Sequence, residues 1–418
     1  MNKFDPIAID AQVKAAATAW PALATTSAVT RQKALLAMAQ SLLTFQDKIL
    51  AANAKDVERG RKNGLTEALI DRLTLTPERI LGMSDSILQI ANLADPLGEV
   101  LEGWVRPNGL KISKIRVPIG VIAMIYEARP NVTVDAIALG IKTGNAMILR
   151  GSASAYESNL AITNLLKNAL YMLKINEEAI QLLTDTSHEG VYHLVKCREY
   201  IQLAIPRGGA TLIQEVVRHA QVPTIETGVG NCHIFVDDSA ALEKAVLIIV
   251  NAKAQRPSVC NACETVLIHR AIAEKFLPIL AQKLKDLNVE IRGCAETQKI
   301  IACTQATDTD WDTEYLDLIL AIKIVKDNDE AIAHIQKHGT HHTEAILSNN
   351  LKNTTVFKEK IDAAAVVVNA STRFIDGGEF GFGAELGIST QKLHARGPMG
   401  LAELTTYKYI VEGDGQTR

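Results

Sequence analysis

The sequence predicts an α/β protein with two parallel-sheet domains, on three observations. From residue 120 onward, apolar runs of strand length alternate with helical stretches: 121–126 then 132–142, 146–150 then 158–173, 201–205 then 210–219, and 233–236 then 240–252. Strands apolar at every position, with helices between them, imply a parallel sheet covered on both faces. A second series starts at Thr265, with strands near 317–325, 344–348 and 363–369, so a second domain follows a division near 237–240. The length of 418 residues, 47% hydrophobic and 22% charged, exceeds what one compact core holds.

The elements follow in chain order. Stretches 8–20, 30–45, 66–73 and 77–91 carry helical periodicity, and Thr76-Pro77 supplies a cap and a first helical position. They form a helical N-terminal layer. Residues 103–118 (GWVRPNGLKISKIRVP) alternate in character around Asn108-Gly109, the strongest short hairpin signal. Residues 405–411 (TTYKYIV) are strand-like, rich in β-branched and aromatic side chains. A hairpin that projects leaves open edges, which proteins usually cover; the alternative is a hairpin folded back on its own chain. The segment 308–314 is polar and is expected to be an exposed loop.

Composition excludes several classes of function. A net charge of -3 and an isoelectric point near 6.4 give no electrostatic footprint for nucleic acid or an anionic membrane. The N-terminal MNKFDPIAIDAQ has no apolar core of a signal peptide, and no apolar run approaches a bilayer span. Six cysteines, Cys197, Cys232, Cys260, Cys263, Cys294 and Cys303, are too sparse for a disulfide framework. The expectation is a cytoplasmic protein with reduced thiols.

The most informative stretch is NAKAQRPSVCNACE (251–264), which puts Cys260 on a connection between a helical run and the strand-like TVLIH (265–269). A thiol there can attack a carbonyl carbon once ionised, and Lys253 and Arg256 are the nearest cations that could favour the thiolate. The bland alternative is a small buried hydrophobe. Cys263 completes a C-x-x-C, but no second ligand pair stands at zinc spacing, and a redox pair belongs at a helix start in a small domain. Metal binding is not expected. Gly228-Val229-Gly230 and GFGAELG (381–387) hold glycine pairs, yet neither makes a G-x-G-x-x-G, and no G-x-x-x-x-G-K-[ST] occurs. Pro206-Arg207-Gly208-Gly209, between a strand and a helix, could admit a pyrophosphate to the helix N-terminus, or could be an ordinary tight turn.

Seven segments together carry a family resemblance: VPIGVIAMIYEARPNVTVDA (117–136), TGNAMILRGS (143–152), IPRGG (205–209), GNCHIFVD (230–237), NAKAQRPSVCNACE, HTEAILS (342–348) and GISTQKLHARGPMGLAELTTYK (387–408). In order, spacing and total length the chain resembles the gamma-glutamyl phosphate reductases, also called glutamate-5-semialdehyde dehydrogenases, of the aldehyde dehydrogenase superfamily. YEARPNV and QKLHARGPMG are specific to that branch. The resemblance implies an aldehyde dehydrogenase-like fold of two Rossmann-like parallel-sheet domains with a small β oligomerisation arm. The cofactor-binding domain would take 1–102 and 119–239, the catalytic domain 240–374, the arm 103–118 and 405–418, and a return segment lining the active site 375–404.

The same resemblance implies NADPH-dependent reduction of L-glutamate 5-phosphate to glutamate 5-semialdehyde and phosphate, the second step of proline synthesis, in a homo-oligomer that is at least a dimer. Glutamate 5-kinase would be the partner from which the unstable acyl phosphate could be channelled. Cys260 is then the nucleophile and Cys263 a packing residue, with Asn131 a candidate amide donor or else a turn residue after Pro130. Cofactor contacts would come from Arg150, Ser152, Arg207, Gly208, Gly209 and Glu385. Arg150 could favour a 2′-phosphate or be an ordinary surface arginine, and Glu385 could hold the nicotinamide ribose or sit at a helix start. Arg129, Lys392, His394 and Arg396 are candidates for the substrate's anionic groups. Glu226 falls where hydrolytic relatives keep a base, which phosphate release does not require. The alternatives are a general aldehyde dehydrogenase with Glu226 as base and a catalytically silent scaffold.

Overall fold

The computed structural model describes residues 4–418; the first three residues of the N-terminal segment assigned above lie outside them. The chain forms two compact units. The first holds residues 4–227, Gly381–Gly387 and Met399–Arg418, and the second holds Gly228–Phe380 and Ile388–Pro398.

Unit 1 opens with five helices: α1 (Pro6–Ala24), α2 (Ala28–Thr44), α3 (Gln46–Lys62), α4 (Glu67–Leu73) and α5 (Pro77–Asn92). Side chains cap four of them. Asp5, Ser27, Thr66 and Thr76 each accept from a first-turn N–H, which satisfies donors the helix leaves open. The expected hairpin is β1 (Val100–Val105) and β2 (Lys111–Pro118), paired antiparallel with Gly109 at φ +87° in the turn. Strands β3 (Val121–Tyr126), β4 (Ala146–Arg150), β5 (Ile180–Leu182) and β6 (Leu203–Arg207) make a parallel sheet in the order β5-β4-β3-β6. Every residue of β3, β4 and β5 is buried, the mark of a sheet covered on both faces. Helices α6 (Pro130–Lys142) and α7 (Tyr156–Met172) connect β3 to β4 and β4 to β5, and α8 (His188–Leu194) precedes β6. The chain then passes to the other side of β3, so the strand order reverses between β3 and β6.

Unit 2 holds a seven-stranded parallel sheet: β7 (Cys232–Val236), β8 (Cys263–His269), β9 (Glu290–Gly293), β10 (Thr304–Gln305), β11 (Ile319–Val325), β12 (Thr343–Leu347) and β13 (Ala365–Val368), in the order β10-β9-β11-β8-β7-β12-β13. Alternate side chains feed two cores. Ile234, Val236, Val266, Ile268, Ala345 and Leu347 pack with Phe276, Leu277 and Leu280. Phe235, Leu267 and Ile346 pack on the opposite face with Ile332, Ile335 and Phe357. That is the period-2 alternation of a strand buried on both sides. A short ribbon, β14 (Ile388–Ser389) with β15 (Gly397–Pro398), completes the unit.

The last strand, β16 (Thr405–Glu412), returns to unit 1 and pairs antiparallel with β2 from Thr405↔Pro118 to Glu412↔Lys111. Hairpin and C-terminal strand therefore form one three-stranded sheet, β1-β2-β16.

Three expectations need correction. The domain division lies at Thr227/Gly228, not at 239/240, because β7 pairs with β8 and β12 rather than with the first sheet. The return segment 375–404 is not one piece: Gly381–Gly387 belongs to unit 1 and Ile388–Pro398 to unit 2. The segment 308–314 is not an exposed loop but holds a 3-10 turn, Asp308–Asp312, with Asp310 and Trp311 buried. Arg292 binds Asp310 at 2.8 Å, which makes the polar turn compatible with burial.

Candidate active site

In unit 2 the helix α10 (Leu242–Ala254) ends before a turn that delivers Cys260 just ahead of β8. Ala262 N–H donates to the Val259 carbonyl at 3.0 Å, closing the turn. The Cys260 carbonyl accepts from the Cys232 thiol, with sulfur 3.2 Å from oxygen. Gly230 lies against the same carbonyl so closely that a Cβ there would fall 1.5 Å from the oxygen. Only glycine fits. Asn261 fixes the far side: its amide donates to the Ile375 carbonyl at 2.8 Å and its oxygen accepts from Arg373.

The two cysteines of the C-x-x-C have different surroundings. Cys260 is partly exposed on its turn, whereas Cys263 is fully buried in β8, where burial pushes its thiol well above the ordinary value. Buried Cys232 is raised in the same way. No disulfide joins the six cysteines. Lys253, expected to favour the Cys260 thiolate, is instead committed elsewhere: it is fully buried with Nζ 2.5 Å from Glu264. Burial drives the Glu264 carboxyl up to about 7 against the opposing pull of Lys253. Burial also raises Glu314, whose carboxylate accepts the Gly230 N–H at 2.8 Å. Arg256 is exposed.

The C-terminal candidates of this unit gather on one acid. Lys392 and Arg396 lie 2.9 and 2.7 Å from the two oxygens of Asp362, and together they hold its carboxyl down at about 2. His394 is exposed beside them in the chain. Asp362 stands about thirty residues earlier, so no local motif signals the pairing.

In unit 1, Asn131, Arg129, Arg150, Ser152, Arg207, Gly208 and Gly209 all come from the ends of β3, β4 and β6 or from what directly follows them. They share the carboxyl edge of one parallel sheet. The break in strand order between β3 and β6 is where open α/β sheets bind ligands. Tyr126 and Arg207 pair in register across it, and the Glu127 N–H donates to the Arg207 carbonyl at 3.3 Å. Gly208 and Gly209 are exposed, and Gly209 caps α9 (Ala210–His219) without a side-chain hydrogen bond, leaving its first-turn N–H groups open to a ligand. Gly208 passes tightly by Glu127, where a Cβ would lie 2.7 Å from the carboxyl carbon.

Asn131 is exposed at the second position of α6 and hydrogen-bonds Asp135 one turn on. Asp135 also accepts from Ser86 at 2.9 Å and feels the charge of Arg207, but burial dominates and raises its carboxyl. Arg207 keeps a buried Nη1 with no hydrogen-bond partner. Arg150 is not the surface arginine of the bland reading: it is 7% exposed, and Nη2 donates to the Thr186 and Ser187 carbonyls at 2.8 and 2.9 Å. Ser152 caps the short 3-10 turn Ala153–Ala155. Arg129 is half-buried at the start of α6, and Glu226 is half-buried beyond β6. Glu385 is half-buried in an irregular stretch, not at a helix start.

Among the described residues, the one group able to hold a metal is Asp10, His193 and Cys197 in unit 1, away from the Cys260 turn in the chain. His193 and Asp10 satisfy each other at 2.8 Å, and Lys14, Lys196 and Arg198 line the same cavity. That surround is unfavourable for a cation.

Comparisons with known proteins agree on one family. The aldehyde dehydrogenase family model matches residues 1–317. A gamma-glutamyl phosphate reductase of Caldanaerobacter subterraneus subsp. tengcongensis is 54% identical over 411 residues, covering 98% of this chain and 99% of its own. One of Clostridium novyi is 56% identical over 393 residues, 94% of each chain. The crystal structure of gamma-glutamyl phosphate reductase from Thermotoga maritima superposes with a TM-score of 0.96 at 50% identity, over 98% of this chain and 99% of that one.

Proposed function

Because the chain belongs to the gamma-glutamyl phosphate reductase branch of the aldehyde dehydrogenase family, we propose that it reduces L-glutamate 5-phosphate to L-glutamate 5-semialdehyde and phosphate, a step of proline synthesis. The observation that carries the chemistry is the contrast between Cys260, partly exposed on a braced turn, and Cys263 and Cys232, which are buried with raised thiols. Use of a nicotinamide cofactor comes with the family. NADPH as the particular one is part of the proposal.

The residues of unit 1 fit such a cofactor. An uncapped helix N-terminus behind two exposed glycines suits a pyrophosphate, and the orphaned Nη1 of Arg207 is a buried donor in want of an acceptor. Gly208, Gly209, Arg207 and Ser152 would hold the phosphates and adjoining ribose, Arg150 would favour the 2′-phosphate, and Glu385 would take the nicotinamide ribose. When bound, the reduced cofactor supplies the hydride that turns a Cys260 thioester into a thiohemiacetal.

The rest of the mechanism belongs to the chain. The Cys260 thiolate forms a bond to C5 of the acyl phosphate, and the C5–O bond breaks as phosphate leaves with the electron pair. After reduction, the alkoxide re-forms its carbonyl, the C–S bond breaks and Cys260 departs as the thiolate that entered. Negative charge develops on the C5 oxygen in both addition steps; the Cys260 N–H would supply a donor, and the family resemblance assigns the amide of Asn131 the same task. Lys392 and Arg396, whose anion is now Asp362, would receive the substrate's anionic groups, and the family resemblance assigns Arg129 and His394 to the same task. Water attack on the thioester is not required in this sequence, so no catalytic role is assigned to Glu226.

Assembly is a further part of the proposal. The sheet β1-β2-β16 exposes Val100, Trp104, Val105, Tyr407, Tyr409 and Val411, each at least 41% accessible. So much apolar area on one small sheet marks a contact surface, and we assign it to a second copy of the chain.

The nucleophile is tested by replacement. Cys260→Ser should keep fold and cofactor binding and lose nearly all turnover, because an alkoxide is far harder to form than a thiolate. Cys263→Ser should stay active. Reversed phenotypes would overturn the assignment.

A further inference from the structure

We propose that Cys232 is a positioning residue for Cys260, its thiol holding the Cys260 peptide from behind. The inference rests on Cys260 being the nucleophile. A carbonyl oxygen can only accept, so at 3.2 Å the Cys232 S–H is the donor to the Cys260 C=O. Its lone pairs are then left toward His342 Nδ1, 3.7 Å from the sulfur, and the same nitrogen lies 2.9 Å from Thr343 Oγ1. Cys232, His342 and Thr343 are all fully buried, so water cannot replace any member of the chain.

The backbone is shaped to make this contact. The Cys232 N–H donates to the Gly230 carbonyl at 2.9 Å, a tight bend at the head of β7. That bend presses the Cα of Gly230 against the Cys260 oxygen and points the Cys232 sulfur at the same atom. The pairing of β7 with β8 shifts register between Cys232 and His233, so the bend is an irregularity of the strand and not its continuation. Cys232 stands opposite Cys263, the first residue of β8, which ties the brace to the strand that carries the nucleophile's turn.

Chemistry suits thiol to this task. Burial keeps Cys232 protonated, so it retains the hydrogen it must donate and does not compete as a nucleophile. His342, held neutral by burial with its pKa pulled down to about 4, adds no charge behind the turn. The brace thus fixes the peptide plane after Cys260, and with it the direction of the side chain, without altering the charge of the site.

The test compares Cys232→Ala with Cys232→Ser in the intact enzyme, reading kcat, KM, melting temperature and the rate of Cys260 alkylation by iodoacetamide. Ala removes the donor, and Ser, the conservative variant, restores one. The expected result is a fall of kcat on the order of tenfold for Ala, below the ~hundredfold that a 1 Å misplacement can cost. KM should change by less than about twofold, since uniform substrate binding is untouched, and Cys260 alkylation should slow. Ser should recover most of the loss in kcat. If the Ala cavity prevents folding, Cys232→Val fills the space without a donor and takes its place. An unchanged kcat in the variant lacking the donor, or an equal loss in the Ser variant, would overturn the proposal. Retained turnover in Cys260→Ser would instead overturn the reading beneath it, and the two failures are separate.

Discussion

Lys253 and Glu264 meet at 2.5 Å with neither side chain exposed to solvent. They join the helix before the Cys260 turn to the strand after it, so the turn is anchored at both ends by one buried pair. Breaking such a pair by removing one partner costs about 3–5 kcal/mol, because the other is left buried and uncompensated. Lys253→Met should therefore be strongly destabilised at pH 8, and less so at pH 6, where Glu264 can take up a proton. Thermal melts at the two pH values check this; equal loss at both would show that Glu264 does not respond.

Glu264 itself predicts a slope of stability with pH. Its folded-state pKa of about 7 lies above the ordinary 4.5, so the folded state holds a proton that the unfolded chain has released. The stability this contributes is full below about 4.5 and is lost as pH rises through about 7. Melting of the natural chain and of Glu264→Gln should diverge in slope across that window. Parallel curves would contradict the raised carboxyl.

Gly230 admits no side chain. A Cβ 1.5 Å from the Cys260 oxygen can be relieved only by moving the Gly230 bend or the nucleophile's turn that rests on it, and overpacking of this kind costs about 1–3 kcal/mol or more. Gly230→Ala should lower both melting temperature and kcat. A variant with full kcat would show that the turn can shift without consequence.

Arg150 separates two duties by cofactor. If it receives the 2′-phosphate, Arg150→Ala weakens NADPH more than NADH, by the ~1.5–3 kcal/mol of one charge-assisted hydrogen bond. If it only holds the Thr186 and Ser187 carbonyls, the melting temperature falls and both cofactors weaken alike. Paired titrations with NADPH and NADH decide between them.

The small sheet decides assembly. Sedimentation of the 418-residue chain should give at least a dimer, and a chain ending at residue 404, which lacks β16, should give monomers. A monomeric 418-residue chain at micromolar concentration would rule the sheet out as the contact.

Much of the fold was legible because it rests on apolar patterning: β3, β4 and α9 stand at the bounds that periodicity predicts, and Asn108-Gly109 does make the hairpin turn. Helix α3 was not, for a physical reason. Its buried face is Ile49, Asn53, Asp56 and Gly60, so it shows no apolar stripe. Asn53 is satisfied by the Leu73 carbonyl and Leu75 N–H, and Asp56 by Ser158, partners unreadable from local sequence. The domain boundary failed for a related reason, since an apolar strand such as β7 reads the same whichever sheet receives it. At the site, the thiol on a turn and the glycines before α9 were visible as motifs. Cys232, Glu264 and Asp362 were not singled out, because each acts through a partner that only the fold brings near.

The most direct measurement of the central claim is nicotinamide reduction with glutamate 5-semialdehyde, in the presence and absence of inorganic phosphate. Resolution of a Cys260 thioester by phosphate predicts NADP reduction that depends on phosphate and yields the acyl phosphate. Reduction that proceeds equally without phosphate and yields free glutamate would contradict it, and would make the chain a hydrolytic aldehyde dehydrogenase.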